Sequence, residues 1–421
     1  MQCEQTAPSK SPALPGWLLV VFTFSYVYFF GIMQTSNPIS SSTVWFIKNV
    51  VPFFCMVPVV AVLVFCDFTG FKQVLSDSKV MVALCGLALL SCLWSSAPTN
   101  TLMESINLTV ATACAFAAAA QLDVEQKMTV VTNALLVIAA GSLLICVAVP
   151  SIGVMTVEFP GAWRGLFIHK NVLGRMMSFA TICGVIGLLH GRTRLRSAGL
   201  VAMSLVLVLM SRSKSALVLV IVLLSALPYL WLLQKKPVAW RRLTALLLLL
   251  VGLGVGWEST QGTLLPFITD TANAAAHSVG KNLSITGRDF IWRICLEAIA
   301  EKPMLGHGYG AFWVYPGPVG WIWQATNWRT PHAHNGYIEL MLGLGISGMV
   351  LYGGVLLTAI KRTLQHVTNV TNWAATWPLV STAFILISAC NESLLTNAVE
   401  RIWVMQLIWC SNLVIPRNSD L

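Results

Sequence analysis

Residues 216–233 read ALVLVIVLLSALPYLWLL, a run without a single charged side chain. A helix of that length crosses most of a hydrocarbon core about 30 Å thick. Val201–Met210 and Leu243–Val255 have the same character. Their contiguity speaks against barrel strands, which alternate lipid-facing and lumen-facing residues. Only helices and closed barrels satisfy every backbone polar group inside a bilayer. Across 421 residues, 56% are hydrophobic and 10% charged, with a mean hydropathy of +0.75. Soluble domains carry about 25% charge. The expected fold is all-α and polytopic in a membrane.

Working outward from that run, hydropathy places about twelve transmembrane helices. They fall near 17–33, 44–65, 80–94, 102–120, 130–150, 166–189, 198–210, 216–233, 243–257, 335–358, 374–390 and 398–414. Residues 1–16 then form a cytoplasmic tail and 17–257 hold helices one to nine. Residues 258–334 form a large extracytoplasmic loop with short helices, 335–414 hold helices ten to twelve, and 415–421 end the chain in the cytoplasm. Trp17–Met33 has no Ala-x-Ala-type cleavage site after it and reads as a retained helix. Basic residues in short loops set this orientation, among them Lys72, Lys79, Lys127, Arg192, Arg194, Arg196, Lys361 and Arg362. Most of the eleven cysteines sit in or beside apolar runs, where cysteine acts as a small hydrophobe. Neither a disulfide framework nor a cysteine metal site is expected.

Some cations break the inside-positive pattern. Arg164, Lys170, Arg212, Lys214, Arg288, Arg293, Arg329 and Arg401 fall on or near the outer side. Desolvating them near lipid is costly. An anionic ligand would offset that cost, as would ion pairs with Glu158, Asp289, Glu297 or Glu400; sequence leaves both open.

Within the loop, Thr286-Gly287-Arg288-Asp289 has capping-box character, and Phe290, Ile291, Ile294 and Ala298 follow as an apolar stripe. Arg288 would lie in a first helical turn, which suits a phosphate; a capped surface helix explains the same residues. Gly306-His307-Gly308-Tyr309-Gly310 permits close backbone approach, with His307 either at a ligand or in solvent. Trp313, Tyr315, Trp321, Trp323 and Trp328 would anchor the segment among headgroups or stack on sugars.

His334 and Asn335 open the tenth expected helix, Asn335 as its cap. A histidine at a membrane–water boundary can accept a proton near neutral pH. Glu339 or a backbone carbonyl would fix its ring. His332 and His334 lack a third ligand at recognisable spacing, and Asp-x-Asp is absent, so no metal or other cofactor is expected. Gly343, Gly345 and Gly348 read as a small-residue face for helix packing.

His334-Asn335, nine residues, then Gly345-Ile346-Ser347-Gly348 resembles the signature of the O-antigen ligase and O-antigen polymerase superfamily. Three other segments are similar to the same group: Gly165-Leu166-Phe167-Ile168-His169-Lys170-Asn171, Met210-Ser211-Arg212-Ser213-Lys214-Ser215-Ala216, and Gly287-Arg288-Asp289-Phe290-Ile291-Trp292. His332-Ala333-His334-Asn335-Gly336-Tyr337-Ile338-Glu339 most resembles the exopolysaccharide-production branch.

The resemblance implies a fold of the lipid-dependent glycosyltransferase type in the bacterial inner membrane, with its site facing the periplasm. It implies an undecaprenyl-diphosphate-linked glycan donor and metal-independent, inverting transfer. His334 would activate the acceptor, and Arg212 and Arg288 would hold the diphosphate, with Lys170 and Arg293 contributing. His332, Asn335, Tyr309, Trp313 and Trp321 are the expected glycan or acceptor contacts. A second lipid-linked repeat is the expected acceptor, making the protein a polymerase; the alternative is a ligase acting on lipid A-core. Membrane lipids and a chain-length regulator are candidate partners, and nucleic acid is not. A transporter is the competing class, but the two halves show no convincing repeat.

Overall fold

The computed structural model describes residues 61, 64–235, 288–314, 320, 332–390, 392–393 and 401–413, without side chains at 288–290 and 401–405. Apart from one isolated bridge between Val154 and Trp163, the regular structure there is helical. The helices of ten or more residues are α1 (Phe68–Asp77), α2 (Lys79–Leu90), α3 (Pro98–Gln121), α4 (Val124–Ala148), α5 (Lys170–His190) and α6 (Arg194–Met210). They continue with α7 (Lys214–Lys235), α8 (Arg288–Glu301), α9 (Gly336–Asn369), α10 (Trp377–Ala389) and α11 (Arg401–Ser411).

Local chemistry sets several of these limits. Pro98 opens α3, where its missing N–H costs nothing. Asp123 and Gln126 form a reciprocal capping box at the start of α4. Asn335 caps α9, its Oδ1 accepting from the amides of Tyr337 (3.0 Å) and Ile338 (3.2 Å). The hub is α5, buried on all sides: Leu173, Met176, Met177, Phe179, Ile182, Cys183 and Ile186 are all within the core. It packs against α6, α7, α4 and α10, while α11 packs against α3 and α9.

The expectation of about twelve spans is corrected. Among the described residues, five helices are long and apolar enough to cross a membrane: α3, α4, α5, α7 and α9. The number reaches six if α1 and α2, bent by 81°, count as one broken span. An apolar run need not be one long helix. The run at 198–210 lies in α6, which ends after 17 residues, and 374–390 divides into a 3₁₀ turn at Trp373–Thr376 and the 13-residue α10. The run at 80–94 is α2 with a 3₁₀ turn, Ser91–Leu93. Of 398–414, α11 covers Arg401–Ser411. The expected spans 17–33 and 243–257, and nearly all of 44–65, lie outside the described residues, as do both tails.

A second correction concerns Gly345. It is no part of a smooth packing face, because α9 breaks there at φ 61° and ψ −157°. Residues after α8 fill the break: Ile346 donates to the Pro303 carbonyl (2.8 Å) and Ser347 to that of Met304 (3.1 Å). His307 and Gly308 donate to the carbonyls of Leu342 and Gly343 (2.8 and 3.0 Å). A Cβ on Gly345 would meet the Met304 backbone at 2.5 Å, so glycine is required. The stripe Ile291, Ile294 and Ala298 of α8 packs with Cys295, Phe312, Ala333 and Leu342 in a small core of its own. That core joins α8 to the segment carrying His332 and His334.

Candidate active site

The starts of α5, α7 and α9 and the end of α10 share one end of the bundle. Lys170 opens α5, and its Nζ donates to the Arg212 carbonyl in the α6–α7 turn (3.3 Å). The amide of Trp163 donates to the Met210 carbonyl (3.0 Å), fastening the same turn to the segment before α5. Arg212 itself is exposed, and its Nη1 donates to the Pro160 carbonyl at 3.4 Å. Among the described residues, Arg212 (φ 51°) and His334 (φ 53°) are the two non-glycine residues with left-handed backbone. Such conformations cost about 1–3 kcal/mol, and surrounding structure must enforce them.

At His334 the enforcement is visible. The Ala333 amide donates to Oε1 of Glu339, and the Ala333 carbonyl accepts from Trp292 Nε1 of α8 (2.8 Å). Glu339 also accepts from Trp313 Nε1 (3.0 Å) and the Ser393 hydroxyl (3.4 Å). The His334 amide donates to Nδ1 of His332 (3.2 Å), and the two rings meet edge-on at 4.1 Å between centroids. Three segments thereby clamp a three-residue loop.

The carboxylate at the His334 ring is Glu392, not Glu339. Oε2 of Glu392 lies 3.5 Å from Nδ1 of His334 and 3.7 Å from Nη1 of Arg175 on α5. Burial pushes the Glu392 carboxyl up, but the His334 contact and the charges of Arg175, His334 and His332 outweigh it and hold it down at about 2. It is therefore ionised at neutral pH. Burial lowers His169 at the head of α5, against the pull of Glu158 at 3.8 Å; Lys170, Glu392 and His334 also act on this ring.

A cavity of about 220 Å³ adjoins this group, lined by Asn171, Arg175, Lys214, Leu219, Ser388 and Glu392. Among the described residues, no carboxylate pairs with Lys170, Arg212, Lys214 or Arg293. Among the described residues, Lys170, Arg212 and Lys214 thus carry charge that no paired acid neutralises. His332, His334 and Glu392 offer ligand atoms within 4.8 Å of one another. Folding supplies the third ligand that spacing alone could not, although Arg175 already occupies the Glu392 carboxylate.

Other expected residues are placed as follows. Arg288 is the first residue of α8, four positions before the Trp292 that touches Ala333; its side chain lies outside the description. Arg293 is exposed on α8. Tyr309 is buried in the main core, its amide donating to Ser91 Oγ (3.0 Å). Asn335 is engaged as a cap, and Trp313 is held by Glu339. Trp321 lies outside the described residues, with Tyr315, Trp323, Trp328 and Arg329. His307 is neither solvent-exposed nor at this group: it is buried, with Nε2 2.9 Å from the Ala298 carbonyl.

Sequence reasoning passed over Arg175 and Glu392. A signal existed for Arg175, which is the sole charge between Lys170 and His190 in an otherwise apolar run. Ionisable residues inside such runs are costly and mark functional sites.

Residues 198–353 match the family described as O-antigen ligase. This segment holds Arg212, α7, α8, His334 and the first half of α9. The exopolysaccharide production protein ExoQ of Rhizobium meliloti (strain 1021) is 33% identical over 95 residues, 21% of this chain and 22% of that protein. The match thus spans about a fifth of the relative's length. Over these segments the chain is similar to the O-antigen ligase family and to a protein of exopolysaccharide production.

Proposed function

We propose that the protein is a membrane glycosyltransferase that moves a glycan from undecaprenyl diphosphate to an acceptor hydroxyl. The observation that carries this reading is a histidine paired with a carboxylate at a bundle end where, among the described residues, Lys170, Arg212 and Lys214 pair with no acid. The acceptor oxygen attacks the anomeric carbon as the bond from that carbon to the diphosphate oxygen breaks. His334 takes the hydroxyl proton, and Glu392 holds the ring and stabilises its protonated form. The undecaprenyl diphosphate departs with its negative charge against Arg212, with Arg288, Lys170 and Arg293 as further donors. Direct displacement inverts the anomeric centre. The guanidinium and ammonium groups supply the positive charge that the leaving group requires. His332, Asn335 and Trp313 border the acceptor, and the site faces the periplasm of the inner membrane.

The family match supports the ligase reading, with lipid A-core as acceptor, better than the polymerase reading that the motifs favoured. The ExoQ similarity supports polymerase as a second reading. Both share the donor chemistry and differ in acceptor. Purified protein in liposomes with a labelled lipid-linked glycan tests them. Label should move to added lipid A-core for a ligase and to a second lipid-linked repeat for a polymerase. Movement to neither acceptor, with an intact donor, would remove both readings.

A further inference from the structure

A pair of adjoining cavities lies at the far end of the bundle from His334. Lys170 opens α5 beside Arg212, and His190 closes it 3.5 Å from Glu125 at the start of α4. This 21-residue helix separates the two ends by about 30 Å at 1.5 Å per residue. One cavity, of about 370 Å³, lies between the start of α4, the end of α9 and the turn before α10. Its polar lining includes Lys127 and His366. The other, of about 670 Å³, shares Ala119 and Leu413 with it and is lined by Asp77, Lys361 and Arg362.

The charges here are unusual. Lys127 is only 2% exposed and has the Trp409 ring 6.0 Å from its Nζ, yet its ammonium makes no hydrogen bond or ion pair among the described residues. His366, 6% exposed, has no hydrogen-bond partner at Nδ1. The nearby acids are engaged elsewhere: Asp123 accepts the Gln126 amide, and Glu125 is paired with Arg192 and His190. Asp77 in the larger cavity forms no ion pair with Lys361 or Arg362. A buried ammonium without a partner is expensive, and an anion in the cavity would remove that cost.

We propose that these adjoining cavities bind the phosphodiester headgroup of an anionic phospholipid, with Lys127 and His366 as the inner donors and Lys361 and Arg362 at the mouth. A lipid fits better than a free ion for two reasons. Basic pockets between helix ends at a bilayer surface recruit such headgroups. The polar groups are also interleaved with Leu122, Val124, Val370 and Leu413, which suit a glycerol and the first acyl carbons. The proposal does not depend on the chemistry assigned to His334.

Thermal unfolding and native mass spectrometry of the delipidated full chain test it. The probes are phosphatidylglycerol, cardiolipin, phosphatidylcholine and inorganic phosphate. The anionic lipids should bind saturably and raise the unfolding temperature, as a ligand selective for the folded state must. Lys127→Met should weaken that binding at least tenfold, and Lys127→Arg should retain it. If Lys127→Met fails to fold, the double change Lys361→Gln and Arg362→Gln at the mouth gives the same readout. Equal binding of phosphatidylcholine, or unchanged binding in these variants, overturns the proposal. Inorganic phosphate binding as tightly as phosphatidylglycerol would make this an ion site and overturn the lipid assignment.

Discussion

One carboxylate oxygen, Oε2 of Glu392, stands between Nδ1 of His334 at 3.5 Å and Nη1 of Arg175 at 3.7 Å. The imidazole that the sequence singles out is thereby tied to a buried guanidinium on α5. Glu392→Gln keeps the shape and removes the charge that orients the ring and stabilises its protonated form. Turnover should fall by about 10²–10⁴-fold, as when a histidine loses its orienting acid, with KM for the donor nearly unchanged. A KM rise at constant kcat would instead put Glu392 in donor binding.

Arg175 restrains that carboxylate from the far side. Arg175→Met should leave Glu392 paired with His334 alone and reduce kcat, and Arg175→Lys should restore part of it because a charge without the planar fork remains. A lysine variant as inactive as Met would show that the side-chain geometry, and not the charge, is what matters.

Glu392 also predicts a pH dependence. Its carboxyl is held at about 2, below the ordinary 4.5. A depressed acid adds stability that is complete above its unfolded value and is lost as pH falls toward its folded value. Wild-type protein should therefore lose unfolding temperature more steeply than Glu392→Gln between about pH 5 and pH 2. Parallel curves would mean that the folded protein does not hold this carboxylate ionised.

Glu339 is predicted to act through structure. It accepts from Ala333, Trp313 and Ser393 and holds the His334 loop. Glu339→Ala leaves buried donors unpaired, at roughly 1–3 kcal/mol each. Both the unfolding temperature and the rate should fall, and the loss of unfolding temperature should persist at low pH, whereas that of Glu392→Gln should shrink as pH falls from about 5 toward 2. A stable, inactive Glu339→Ala would argue for a direct chemical role.

The class of fold was legible from the apolar runs, and the cap at Asn335 follows from side-chain chemistry within a few residues. The number of long helices was not. Hydropathy measures whether a segment prefers lipid, and it says nothing of the 81° bend between α1 and α2 or of where α10 starts. The break at Gly345 depends on residues 303–308 threading into α9, a contact between segments some forty positions apart. His334 and Arg212 were visible because motif spacing and odd placement mark them. Glu392 was hidden because its meaning comes from two partners 58 and 217 positions away, His334 and Arg175. Arg175 was visible in principle as a lone charge in a helix that turned out to be the most buried of the bundle.

The central claim is that His334 removes the acceptor proton in transfer from a lipid diphosphate. Its most direct test is single-turnover transfer of a labelled glycan from undecaprenyl diphosphate by purified His334→Ala in liposomes, with donor binding measured on the same sample. The donor should bind and no transfer should be detectable. Wild-type rates from that variant would contradict the claim.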